Sequence, residues 1–157
     1  MDFKVTWTKE CKVSIVKKDQ DTGNALAGAV YGIYSDAACT KLIAKMPATD
    51  QNGASQLTME KTQEVIYLKE ISVPAGYQID TKSYNVTLTI GKTTTKNVTD
   101  KRVNAKINIA KQDAETGNEV QGDATLEGAV YGLYAREDIV HPDGRTGTIH
   151  KKDSLIT

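Results

Sequence analysis

Residues 12–32 read KVSIVKKDQDTGNALAGAVYG, and residues 106–132 read KINIAKQDAETGNEVQGDATLEGAVYG. Lys17 and Thr22-Gly23-Asn24 return as Lys111 and Thr116-Gly117-Asn118 at an offset of 94. Gly28-Ala29-Val30-Tyr31 returns as Gly128-Ala129-Val130-Tyr131 at an offset of 100, so the second copy carries six extra residues after its first strand. A repeat fixes the unit of folding ahead of its individual elements. Residues 11–102 are therefore expected to form one complete domain. Residues 103–157 are expected to be the N-terminal part of a second copy.

Within the quoted stretch Val13, Ile15 and Lys17 alternate with Ser14, Val16 and Lys18, the period of a half-buried strand. Ile66, Leu68 and Glu70 alternate in the same way, and Tyr84–Ile90 is a third such run. Turn residues separate them at Asp21–Asn24, Asp50–Gly53, Pro74–Gly76 and Ile90–Lys92. Short strands divided by frequent turns predict an all-β fold, an antiparallel β-sandwich. One helical turn is expected at Ser35–Cys39, capped by Ser35 or Asp36. The stretch Thr40–Thr58 reads as a polar loop. Residues 1–10, with Phe3, Val5 and Trp7 alternating, are a leading strand or the remnant of a preceding domain.

Composition removes several function classes. The 157 residues carry 20 Lys+Arg against 20 Asp+Glu, so no basic excess exists to displace counterions from nucleic acid. No apolar run approaches the length of about 20 residues that spans a bilayer, so direct membrane insertion is not expected. Residues 1–10 lack the apolar stretch of a signal peptide, so any signal is expected to lie outside this chain. Cys11 and Cys39 could form a single bridge, but two buried free thiols are the expectation. His141 and His150, in a hairpin-like HPDGRTGTIH, have no cysteine or carboxylate cluster at metal-binding spacing. No phosphate loop, nucleophile elbow or zinc spacing is found. Neither a cofactor, a metal nor a turnover enzyme is expected.

The charged residues at inward positions carry the chemistry. Lys17 shares a face with Val13 and Ile15, Glu70 with Ile66 and Leu68, and Asp100 with Val98. Asn97 takes the opposite face with Thr99. Buried unpaired charges cost several kcal/mol, comparable to the whole stability of a small domain. Either these strand ends reach water, or the three groups meet and neutralise one another.

LAGAVYGIY after KKDQDTG, then LKEISVPAGY, then a strand ending in Asp before the next repeat, together resemble the Cna B-type domains. These are the prealbumin-like modules of the collagen-adhesin B region, found in Gram-positive surface proteins and pilins. The resemblance implies an Ig-like, prealbumin-like sandwich. It also implies a spontaneous isopeptide bond between a first-strand Lys and a last-strand Asn or Asp, assisted by a Glu. By position these are Lys17, Asp100 and Glu70, with Asn97 as the rival acceptor. In the second copy Ile107, Ile109 and Lys111 repeat the inward pattern, and Lys111 is the matching nucleophile candidate, its partners lying beyond Thr157. The function implied is a structural stalk or pilin-type module of an extracellular, cell-wall-anchored surface protein. Its partners would be neighbouring tandem domains. An adhesin domain binding host matrix protein or glycan is the alternative. No sortase-type anchor motif stands in the chain, and the anchor is expected downstream.

Overall fold

The computed structural model describes residues 9–117, 122 and 125–157. Phe3, Val5 and Trp7 of the expected leading strand lie outside the described residues. The chain divides into two compact units, Met1–Val103 and Asn104–Thr157.

The first unit is a two-sheet sandwich. Strands β1 (Glu10–Asp19), β4 (Ala54–Glu60) and β7 (Thr93–Asp100) form one sheet, ordered β4-β1-β7. Strands β2 (Val30–Tyr34), β3 (Leu42–Lys45), β5 (Val65–Ser72) and β6 (Ser83–Thr87) form the other, ordered β3-β2-β5-β6. All pairs are antiparallel except β1 with β7, which run parallel from Lys12 opposite Thr93 to Asp19 opposite Asp100. The first and last strands thus lie side by side. The core is made by the inward residues of both sheets: Val13, Ile15 and Val98 from one, Tyr31, Ile33, Ile66, Leu68 and Val86 from the other. Period-2 alternation is what lets each strand bury one face while its other face meets water.

Two expectations are corrected. Thr40–Thr58 is not a polar loop, because β3 and the start of β4 lie in it. Both are edge strands, and edges carry polar residues that discourage pairing with other chains, which hides them from a hydrophobic pattern. Ser35–Cys39 is not helical: Cys39 has φ +53°, and no helix occurs among the described residues. Instead the Asp36 carboxylate accepts the backbone N–H of Lys41 (2.8 Å) and Thr40 (3.1 Å), closing a turn. These N–H groups, Lys41 first, hold the Asp36 carboxyl below its ordinary range. Among the described residues no helix is long and apolar enough to cross a membrane.

In the second unit a hairpin joins β8 (Ile139–Val140) to β9 (Thr148–His150). Tyr134 pairs with Leu155, as Tyr34 pairs with Leu42 in the first unit. The flanking bond repeats as well: Ser35 N–H to Lys41 O and Ala135 N–H to Ser154 O are both 3.0 Å. The short turn between β2 and β3 is here replaced by a longer excursion containing β8 and β9. The strand expected over Ile107–Lys111 does not form, and Ile107 and Ile109 are both 60% exposed. The reason lies in the pairing: β1 is held by β4 on one side and β7 on the other, and no paired strand flanks 105–111 among the described residues.

Candidate functional site

Lys17 is the last inward residue but one of β1, after Cys11, Val13 and Ile15. Its backbone is clamped at both ends of the peptide unit. Lys17 N–H donates to Gly53 O (2.8 Å), and Lys17 O accepts from Leu26 N–H (3.0 Å). Gly53 has φ +70°, and a Cβ there would stand 2.2 Å from Lys17 O. Only glycine lets the Asp50–Gly53 turn approach so closely. The fixed backbone sends the lysine side chain into the core, where it is fully buried.

Glu70 arrives from β5 and Asp100 from the end of β7, both inward and both buried. Lys17 Nζ lies 2.5 Å from Asp100 Oδ1 and 3.0 Å from Glu70 Oε1. The sequence-derived trio therefore meets at one point between the sheets. Asn97 stands on the exposed face of β7 and does not reach it. Lys111 is exposed, on a segment with no strand, and joins no such cluster among the described residues.

The ion pair with Glu70 is close in distance but lies outside hydrogen-bonding geometry. Glu70 Oε1 and Asp100 Oδ2 are buried and accept no hydrogen bond. Glu70 is oriented through its other oxygen, Oε2, which accepts Asp80 N–H at 2.7 Å. One cation against two carboxylates leaves a net charge of −1 if all three ionise. A buried net charge is expensive, so the site favours one extra proton. Burial, aided by the charge on Glu70 and opposed by Lys17, pushes the Asp100 carboxyl up to about 6.

Two participants are not evident from the sequence. Tyr31, inward on β2 and paired in register with Glu70, accepts a hydrogen bond from Lys17 Nζ at 2.7 Å. Its inward position is legible, but an aromatic residue there reads as core. Asp19, the inward residue after Lys17, is also buried. It accepts Asp21 N–H (2.7 Å), Thr22 N–H (2.8 Å) and the Tyr77 hydroxyl (2.6 Å). Cys11 and Cys39 are free thiols, the first buried and the second half-buried. Burial pushes both thiols up, which keeps them protonated and unreactive.

Solved structures with similar folds include pilins. GBS52, the minor pilin of Streptococcus agalactiae, is 23% identical with TM-score 0.51, covering 66% of this chain and 49% of its own. The full-length major pilin SpaD of Corynebacterium diphtheriae is 21% identical with TM-score 0.51, covering 62% and 32%. The Bacillus anthracis TIE protein is 22% identical with TM-score 0.51, covering 60% and 17%. The chain thus spans less than half the length of each, and at these identities the likeness establishes the fold. No curated protein matches the chain. Residues 11–102 match the model of the family described as SpaA, prealbumin-like fold domain, the same residues that hold the sandwich and its buried trio. The chain belongs to this family of prealbumin-like domains.

Proposed function

We propose that the first unit is a load-bearing stalk module of a pilin-like, extracellular surface protein, locked by a self-formed isopeptide bond between Lys17 and Asp100. The observation that carries this reading is the buried contact of Lys17, Glu70 and Asp100, all within 3.0 Å of the lysine nitrogen. A structural ion pair would be balanced, whereas this one has a surplus carboxylate, and burial shifts Asp100 toward its neutral form. A neutral carboxylic acid is an electrophile, and a desolvated lysine that loses its proton is a nucleophile.

The atoms balance as follows. The Lys17 ammonium gives one proton to Glu70 Oε1, which accepts no other hydrogen bond. The free amine attacks Asp100 Cγ, forming the C–N bond. The Asp100 C–O bond breaks, and its hydroxyl leaves as water with a second proton from nitrogen. The products are an amide, one water and a protonated Glu70. Folding supplies the proximity that a bimolecular condensation lacks. The reaction happens once per chain.

The bond joins residues 83 apart in sequence. Treated as a loop closure, it removes unfolded-state entropy worth roughly 4.5 kcal/mol. Because β1 and β7 are parallel neighbours, tension applied at the two ends of the unit shears the strands along their length. The bond carries that load covalently. The second unit, which repeats the turn of β1 and the pairing of β2 with β3, reads as the opening of another copy in tandem. Neighbouring domains of the same protein are then the immediate partners, and the protein would be held at the cell wall.

Single-molecule stretching tests the stalk role. Pulled from its ends, the wild-type first unit should show no release of the chain between Lys17 and Asp100. The Glu70→Gln variant should lengthen by about 300 Å as that segment extends. A wild-type unit that releases the same length would overturn the proposal.

A further inference from the structure

The lysine nitrogen also meets a hydroxyl that the bond itself does not consume. We infer that Tyr31 is a positioning residue, whose hydroxyl turns the Lys17 lone pair toward Asp100. This inference rests on the proposed isopeptide chemistry and goes further, by assigning what controls its rate.

A deprotonated lysine amine has three staggered directions about its terminal C–N bond, two filled by N–H and one by the lone pair. Around the Lys17 nitrogen, Tyr31 Oη at 2.7 Å and Asp100 Oδ1 at 2.5 Å stand in hydrogen-bonding geometry, and Glu70 Oε1 lies 3.0 Å away outside it. Attack requires the lone pair to face Asp100, which leaves the two N–H groups for Tyr31 and Glu70. Tyr31 makes that arrangement favourable, because its oxygen accepts the N–H that would otherwise turn to Asp100. Without the hydroxyl, both N–H groups turn to the carboxyl groups and the lone pair faces a bare ring. The amine is then present but aimed wrongly.

The surroundings suit this role. Tyr31 is 1% exposed and lies opposite Glu70 in the β2–β5 register, so its ring cannot swing away. The lysine nitrogen sits 5.2 Å from the ring centroid and 2.7 Å from its hydroxyl, so it lies beyond the hydroxyl at the ring's edge. Burial, then the charges of Glu70 and Asp100, push the phenol far above its ordinary pKa, so it remains a neutral phenol throughout.

The test follows the loss of one water by intact mass, in chains first isolated unfolded and then refolded. Wild type, Tyr31→Phe and Ile33→Val are compared. Ile33→Val trims the same strand's core and removes no polar partner of the lysine nitrogen. Tyr31→Phe should fold, by far-ultraviolet circular dichroism, yet lose water about 10- to 100-fold more slowly, the worth of a hydrogen bond to a charged or reacting group. Ile33→Val should react at the wild-type rate. Tyr31→Phe reacting as fast as wild type would overturn the inference while leaving the bond itself intact. Equal slowing in Tyr31→Phe and Ile33→Val would also overturn it, by showing a general packing effect. A wild-type chain that loses no water would instead refute the isopeptide reading on which the inference stands.

Discussion

Residues 11–34 and 105–134 carry the same motif and meet different fates. In both, the turn forms. Asp19 accepts the N–H of Asp21 and Thr22, and Asp113 accepts the N–H of Glu115 and Thr116 at 2.9 Å each. Gly23 and Gly117 both take positive φ, at 74° and 81°. Only the first copy has the strand leading into that turn, and Tyr31 is buried where Tyr131 is 52% exposed. The turn is local, because a side chain closes it within three residues. The strand is tertiary, because β1 exists only between β4 and β7. An inward-facing lysine is therefore buried against carboxylates only where a completed sandwich surrounds it.

The largest effect is expected from removing the lysine that the comparison turns on. Lys17→Ala forbids the bond and should lower the stability of the first unit by at least about 4 kcal/mol in chemical denaturation. Lys111→Ala should leave that transition where it is. Similar losses from both substitutions would show that the two lysines share an environment.

A smaller effect should separate the two aspartates of the shared turn. Asp19→Ala removes bonds to two backbone N–H groups and leaves the buried Tyr77 hydroxyl without that acceptor, which should cost about 2–3 kcal/mol in the same measurement. Asp113→Ala opens an exposed turn and should leave the melting temperature unchanged. The Thr116 and Glu115 N–H groups hold the Asp113 carboxyl low, an effect confined to the turn itself.

The smallest effect is on rate. Asp100, at about 6, sits above its ordinary 3.8 because of burial. Its folded pKa is raised, so the neutral form's contribution to the unlinked fold is full below about 3.8 and lost as pH rises through about 6. In the proposed reaction the neutral acid is also the electrophile. Water loss after refolding should therefore slow by roughly tenfold for each pH unit above that value. A rate that rises over the same range would place the limiting proton on Lys17 instead.

Much of this is legible in the amino-acid sequence alone. Lys17, Glu70 and Asp100 stand out because each occupies an inward position on an alternating strand, where charge is costly. Tyr31 does not stand out, since an aromatic residue at an inward position is core by default and its hydroxyl leaves no mark on the pattern. β3 and β4 are hidden because edge strands keep polar residues among short apolar runs such as Leu42-Ile43. The missing strand at Ile107–Lys111 shows another limit: alternation names a face, but not whether neighbours exist to cover it. The pairing of Tyr134 with Leu155 is equally invisible, because 20 residues separate them where seven separate Tyr34 from Leu42.

The intact mass of the folded chain tests the central claim most directly. One bond at Lys17 and none at Lys111 predicts a deficit of a single water, about 18 Da, with digestion yielding a branched peptide that joins the Lys17 and Asp100 segments. A mass equal to that of the unmodified sequence, with Lys17 and Asp100 recovered in separate linear peptides, would contradict it.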